Sequence, residues 1–298
     1  MTREGQTFAG RSRLVHYVNL VKLPHTLFAL PFALVGVVIA SAERPVRWTT
    51  VAWVAVAFTA ARFAAMGFNR VVDRELDALN PRTAKREIPA GLIGAAEGGV
   101  AVAVASALFF FAASQLNPLC FYLAPAALAW VFFYSYTKRF TQLAHLVLGL
   151  GLGIAPVGGY LAVTGAWSTP WWVLPALAAA VMAWVGGFDI LYSLQDVEFD
   201  RAQRLHSIPA RLGEARGILV ARVLHAGTVA ALAVVGIGVG AGWLYAAGVA
   251  AVALMLAYEH SLVRAGDLSK LDAAFFTMNG VISVTFFGFV LAERVFVR

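Results

Sequence analysis

The chain has 298 residues, 60% hydrophobic and only 13% charged, with a formal net charge of +7. A mean hydropathy of +0.76 is more apolar surface than a water-soluble core can use, and it fits a polytopic membrane protein. The basic residues are scattered between long apolar runs, which argues for topology signals and anion ligands rather than nucleic-acid binding. The lone Cys120 excludes an internal disulfide framework.

From the N-terminus, the first twenty residues are charged but lack an apolar segment followed by a small-residue cleavage site, so no removable signal peptide is expected. Nine apolar runs follow, each of roughly the 17–25 residues that cross a bilayer as a helix: 24–42, 49–68, 95–114, 118–136, 143–163, 171–192, 216–236, 239–259 and 272–293. Only "VVGIGVGAGW" divides the seventh run from the eighth, and Gly-rich apolar sequence can also stay helical. No segment shows the ten-residue alternation of a membrane barrel, and lipid leaves helices as the other way to satisfy the backbone. The expectation is one all-α membrane domain over 1–298. With nine spans, seventeen Lys and Arg fall on the side of the N-terminus and four on the other, which places the N-terminus in the cytoplasm and the C-terminus outside.

Two acidic segments interrupt this pattern. "NRVVDRELD" follows the second span and "YSLQDVEFD" the sixth, so an even number of crossings puts both on the cytoplasmic face. Overlaid, Asp73, Glu75 and Asp77 match Asp196, Glu198 and Asp200, and "IPAG" echoes "IPARLG". Equivalent segments four spans apart suggest a duplicated four-helix unit, about 24–136 and 143–259, plus a ninth helix.

At four-residue spacing Asn69, Asp73 and Asp77 project from nearly one face of a helix, as do Asp196 and Asp200. Like charges at that spacing repel, so a cation between them is expected. Mg²⁺ suits, because it takes oxygen ligands, keeps waters and bridges carboxylates to substrate phosphates. Arg82, Lys85, Arg86, Lys138, Arg139 and Arg201 supply charge-assisted contacts to a diphosphate held this way. Glu75 and Glu198 lie two residues off the acidic faces and are expected to face solvent or a neighbouring base.

These residues resemble the signatures of the UbiA superfamily of intramembrane aromatic prenyltransferases. N-x-x-x-D-x-x-x-D is matched by Asn69, Asp73 and Asp77. D-x-x-x-D with a preceding tyrosine is matched by Tyr192, Asp196 and Asp200. The resemblance covers essentially the whole chain. It implies a helical bundle around a central cavity, capped on its cytosolic end by the acidic segments, in the inner membrane of a bacterium. It also implies Mg²⁺-dependent transfer of a polyprenyl chain from polyprenyl diphosphate to an aromatic acceptor. The longer strings "DRELDALNPRTAKREIPAG" and "DILYSLQDVEFDRAQRLHSIPARLG" look most like the bacterial 4-hydroxybenzoate polyprenyltransferase branch. Some of its members are assigned to a menaquinone route whose acceptor would be 1,4-dihydroxy-6-naphthoate.

Several further residues keep two readings. Asp189, two helical turns before Asp196, either positions the acceptor's hydroxyl or takes a proton, or else pairs with a loop arginine; an intramembrane acid is expensive and usually functional. Arg62, two turns before Asn69, either pairs with an acid or holds the acceptor's carboxylate. His25 either reaches the cavity mouth as a substrate ligand or is a hydrogen-bonded interfacial histidine. His206 and Ser207 either cover the diphosphate or shape the turn before Pro209. Phe132, Phe133, Tyr134 and Tyr136 either steady a cation or pack. Among rival functions, a transporter would carry its acids near the bilayer midplane. A CDP-alcohol phosphotransferase would need D-G-x-x-A-R, which is absent from the chain. Other synthases of the same superfamily, with different acceptors, share the acidic motifs.

Overall fold

The computed structural model describes residues 8, 10, 12–268, 271 and 278–297, and of 23–28 the backbone alone. A short helix α1 (Arg13–Leu20) precedes α2 (Leu23–Ala40), α3 (Trp48–Val72), the single-turn α4 (Arg74–Leu79), α5 (Ala95–Leu116), α6 (Pro118–Thr137), α7 (Ala144–Thr164) and α8 (Val173–Ser193). A 3-10 turn (Leu194–Asp196) leads into α9 (Val197–Ala202) and α10 (Ile208–Leu212). The long helices α11 (Glu214–Gly238), α12 (Trp243–Leu262) and α13 (Asn279–Phe296) complete the order. Among the described residues there is no strand, and eight helices are long and apolar enough to cross a membrane. With α2, whose apolar stretch Ala29–Ala40 continues a helix begun at Leu23, they form the expected nine-helix bundle. Of the last expected span, 272–277 lies outside the described residues.

Local chemistry sets the boundaries. Pro118 opens α6 at a position whose N–H has no helical partner, and the Asn117 side chain caps it by accepting from the Cys120 N–H at 3.0 Å. Between α11 and α12, Gly240 takes φ +61°, a left-handed conformation that favours glycine and ends the run of helix. That turn divides spans seven and eight.

The helices meet closely where glycines remove side chains. A Cβ on Gly36 of α2 would lie 1.8 Å from the Pro156 carbonyl oxygen of α7, and one on Gly149 of α7 would lie 2.3 Å from the Met182 oxygen of α8. Close backbone approach replaces the hydrophobic drive that lipid cannot supply between helices. Phe32, Trp184, Tyr245 and Phe286 fill the core between α2, α8, α12 and α13. At one end of the bundle Arg294 donates to the Ser41 hydroxyl and carbonyl, both at 2.9 Å, bringing together the C-terminal ends of α2 and α13. The C-terminal ends of α3, α6 and α8 converge around a polar cavity.

Candidate active site

Both acidic segments are helical, but neither is one straight helix. Asp73 sits at the break between α3 and α4 with φ −93° and ψ 9°, and the turn is kept by the Asp73 N–H on the Asn69 carbonyl (2.8 Å) and the Asp77 N–H on the Asp73 carbonyl (2.7 Å). In the second segment the 3-10 turn tightens the chain between α8 and α9, with Asp196 its last residue. These breaks fold the carboxylates inward. Asn69, Asp73, Asp77, Asp196 and Asp200 all line one cavity of about 170 Å³.

Each of these acids has a basic partner. Asp73 accepts from Arg139 at 2.8 Å and from the Asn69 amide at 2.7 Å. Asp77 accepts from Arg86 at 2.6 Å, with Arg70 at 3.8 Å. Arg82 forks onto Asp196, Nε to Oδ1 at 2.9 Å and Nη2 to Oδ2 at 2.5 Å, while its Nη1 donates to the Tyr192 hydroxyl at 2.8 Å. Asn80 adds a bond to Asp196 at 3.0 Å, and Lys138 stands 4.0 Å from Asp200. Arg82 and Asn80 thus tie the first segment to the second across the cavity. Five acids and five bases line it, Asp189 and Arg70 completing the two sets. Burial pushes the Asp73 carboxyl up to about 6 against the pull of Arg139. Burial would lower the Lys138 ammonium, but the carboxylates of Asp200, Asp189 and Asp196 raise it above its ordinary value.

The donor set fits a hard divalent cation. Asp77 Oδ2 and Asp200 Oδ2 are both shielded from solvent without a hydrogen-bond partner, and the neighbouring donors are oxygens. Among the described residues no three acidic, histidine or cysteine side chains form a closed cage. An ion that keeps several waters and completes its shell with phosphate oxygens needs none.

A second, apolar cavity of about 450 Å³ runs between α2, α3, α5, α6, α7 and α8. Six residues, Asn69, Arg70, Arg86, Tyr134, Asp189 and Tyr192, line both cavities and mark their junction. Arg62 is half-buried in the wall of the apolar cavity, and its shielded Nε has no hydrogen-bond partner. Of its two readings, the ion pair with an acid is not formed among the described residues.

Two of the bases lie elsewhere. Lys85 is exposed outside the cavity lining, and Arg201 is exposed with its Nε donating to the Ala210 carbonyl at 2.8 Å. Arg201 follows the lining residue Asp200 on α9, where successive positions point about 100° apart, and Lys85 lies in the non-helical turn after α4. His25 falls among the side chains outside the described residues. Ser207 caps α10 through the Ala210 N–H at 3.3 Å and is fully buried, so it shapes the turn, and His206 is exposed. Glu75 and Glu198 are exposed, Glu75 paired with Arg74 at 2.9 Å. Of the four α6 aromatics with two readings, Tyr134 faces both cavities; Phe132 stacks on Phe68 with centroids 4.2 Å apart, and Phe133 and Tyr136 are exposed.

Sequence reasoning missed Arg70 and Asn80, although both sit inside the first acidic stretch, where their polarity was a signal. It also missed Tyr134 as a junction residue and His145 altogether. His145 bonds Asp189 at 2.7 Å from 44 residues away, and no local pattern announces that.

Comparison with known proteins agrees with this geometry. The model of the UbiA prenyltransferase family matches residues 29–281. A 4-hydroxybenzoate octaprenyltransferase of Alcanivorax borkumensis is 30% identical over 251 residues, covering 83% of this chain and 85% of that protein. One of Enterobacter sp. (strain 638) is 27% identical over 224 residues, with 75% and 76% covered. The apo structure of a UbiA homolog from Aeropyrum pernix K1 superposes with a TM-score of 0.82 at 32% identity, over 90% of this chain and 98% of that one. A UbiA homolog from Archaeoglobus fulgidus bound to DMAPP and Mg²⁺ shares the fold, with a TM-score of 0.74 at 20% identity over 94% and 99% of the two chains.

Proposed function

The chain belongs to the UbiA prenyltransferase family, and from that premise we propose that it transfers a polyprenyl group from polyprenyl diphosphate to an aromatic acid, 4-hydroxybenzoate or 1,4-dihydroxy-6-naphthoate, in quinone biosynthesis. The observation that carries this reading is the junction: a charged cavity with two acidic motifs adjoins an apolar one whose wall includes Arg62, with its shielded Nε lacking a hydrogen-bond partner among the described residues. The charged end suits a diphosphate, the apolar space an isoprenoid tail, and Arg62 a carboxylate.

Asp73, Asp77, Asp196 and Asp200, with Asn69, would hold Mg²⁺, which when bound neutralises negative charge on the departing diphosphate. The same acids pair with Arg82, Arg86, Lys138 and Arg139. With a diphosphate and its cation bound, these bases would be donors to phosphate oxygens and the acids ligands of the cation. Four aligned cationic groups stabilise the charge that develops as the allylic C–O bond breaks and its electron pair leaves with the diphosphate. Tyr134 and Tyr192 stand at the junction, where their ring faces can steady the allylic cation. The apolar walls exclude the water that would quench it. Arg62 holds the acceptor's carboxylate so that the carbon ortho to the hydroxyl faces the cation and forms the new C–C bond. Asp189 Oδ1 then takes the proton from that carbon, and the ring regains its aromatic electron pair.

The excess of Lys and Arg in the loops on the acidic end supports a cytoplasmic position for it. The test is an assay of purified protein in detergent with a polyprenyl diphosphate and the two acceptors side by side, with and without Mg²⁺. Prenylation of one acceptor only with Mg²⁺ present is the expected result; prenylation of neither removes the aromatic-acid assignment.

A further inference from the structure

His145, the second residue of α7, is fully buried. Its Nδ1 lies 2.7 Å from Asp189 Oδ2, and its Nε2 lies 3.4 Å from the backbone nitrogen of Ile208, the first residue of α10. A backbone N–H can only donate, so Nε2 presents its lone pair and the ring proton sits on Nδ1, directed at Asp189. Asp189 accepts through Oδ2. Its Oδ1 has no hydrogen-bond partner among the described residues, and Asp189 lies at the junction of the two cavities.

We propose that His145 is a positioning residue for prenyl transfer. Its Nδ1–H fixes the Asp189 side chain in one orientation and keeps it an acceptor, so that Oδ1 is presented to the proton the aromatic ring loses. This inference rests on the base role of Asp189 given above and adds the group that aims it. In the proton transfer the C–H bond breaks, its electron pair returns to the ring as aromaticity is restored, and the proton forms the new O–H bond on Asp189 Oδ1. His145 keeps its Nδ1–H throughout, because its Nε2 is covered by the Ile208 N–H and offers no exit. The same ring anchors the segment before α10. Together with the His206 N–H on the Lys138 carbonyl at 2.7 Å, it straps that segment to the turn between α6 and α7, beside the Asp200 partner Lys138.

Steady-state kinetics on the full-length protein in detergent, with Mg²⁺, prenyl diphosphate and the accepted aromatic acid, test this with H145L, H145N, D189N and the double variant H145L/D189N. H145L is expected to lower kcat about 10- to 100-fold while moving KM for prenyl diphosphate less than about twofold. H145N, whose amide N–H can replace Nδ1–H, is expected to recover most of that loss, and H145L/D189N to be no slower than D189N, since two groups acting through one step are not additive. An H145N no better than H145L, or a further loss in the double variant, overturns the proposal. A readout independent of any acceptor is the ¹⁵N spectrum of histidine-labelled protein, with the His145 signals assigned by their loss in H145N. Protonated Nδ1 and unprotonated Nε2 are expected, and the reverse tautomer overturns the inference even if no aromatic acid is prenylated. A wild type that prenylates neither acid while showing the expected tautomer defeats the proposed substrate and supports the hydrogen bond by which His145 orients Asp189.

Discussion

Asp73 gives the sharpest quantitative test of the acidic site. Its carboxyl is shifted from 3.8 to about 6, chiefly by burial, so a divalent cation bound there would compete with a proton over an accessible range of pH. With an ordinary value the group would be ionised throughout pH 5–7 and Mg²⁺ affinity would not change. With a value near 6 the carboxyl is about nine-tenths protonated at pH 5, and affinity there should be about tenfold weaker than at pH 7, about 1.4 kcal/mol. Calorimetric titration of Mg²⁺ into the detergent-solubilised protein without diphosphate isolates the effect from titration of the substrate. R139Q, which removes the charge that holds Asp73 down, should move the transition to higher pH, and D73N should abolish the dependence. Equal Mg²⁺ affinity at pH 5 and pH 7 would refute the reasoning. The same shift bears on stability in the metal-free protein. The folded state binds this proton more tightly than the unfolded chain, so the group's contribution is fully present below about pH 4 and is lost as pH rises through 6, a difference of about 3 kcal/mol for roughly two pH units.

Three further outcomes follow from the geometry. R62Q should raise KM for the aromatic acid about 10- to 100-fold, as expected for losing a charge-assisted bond of about 1.5–3 kcal/mol, and leave KM for prenyl diphosphate unchanged; steady-state kinetics with each substrate varied in turn decide it. R82K keeps the charge but loses the fork onto Asp196 and Tyr192, so its kcat/KM for prenyl diphosphate should fall at least about tenfold; near wild-type turnover would show that a point charge suffices there. G36A places a methyl group against the Pro156 carbonyl and should cost about 1–3 kcal/mol of stability through overpacking, read as a lower midpoint in a thermal scan, and an unchanged midpoint would mean that α2 and α7 separate without penalty.

What the sequence determined by itself was whatever depends on neighbours along the chain. The nine apolar runs are local hydropathy, and they coincide with the long helices to within a few residues, except for the last, whose start lies outside the described residues. The acidic motifs are local as well. Their four-residue spacing and the even number of spans between them put Asp73 and Asp196 at the same end of the bundle, and both line one cavity. Pairing was not legible. Arg82 meets Asp196 across 114 residues, Arg139 meets Asp73 across 66 and His145 meets Asp189 across 44. Lys85 and Arg201 resembled the cavity-lining bases in every local respect, yet both are exposed: Lys85 lies in the non-helical turn after α4, and on α9 one step rotates the Arg201 side chain about 100° from that of Asp200. Arg62 carried two readings until the fold left its Nε unbonded in an apolar wall. The physical reason is the same in each case. Helix formation and membrane insertion follow from composition over one or two turns, whereas the partner of a charged group depends on how α2, α7 and α8 cross at their glycine contacts, and only the packed bundle sets those crossings.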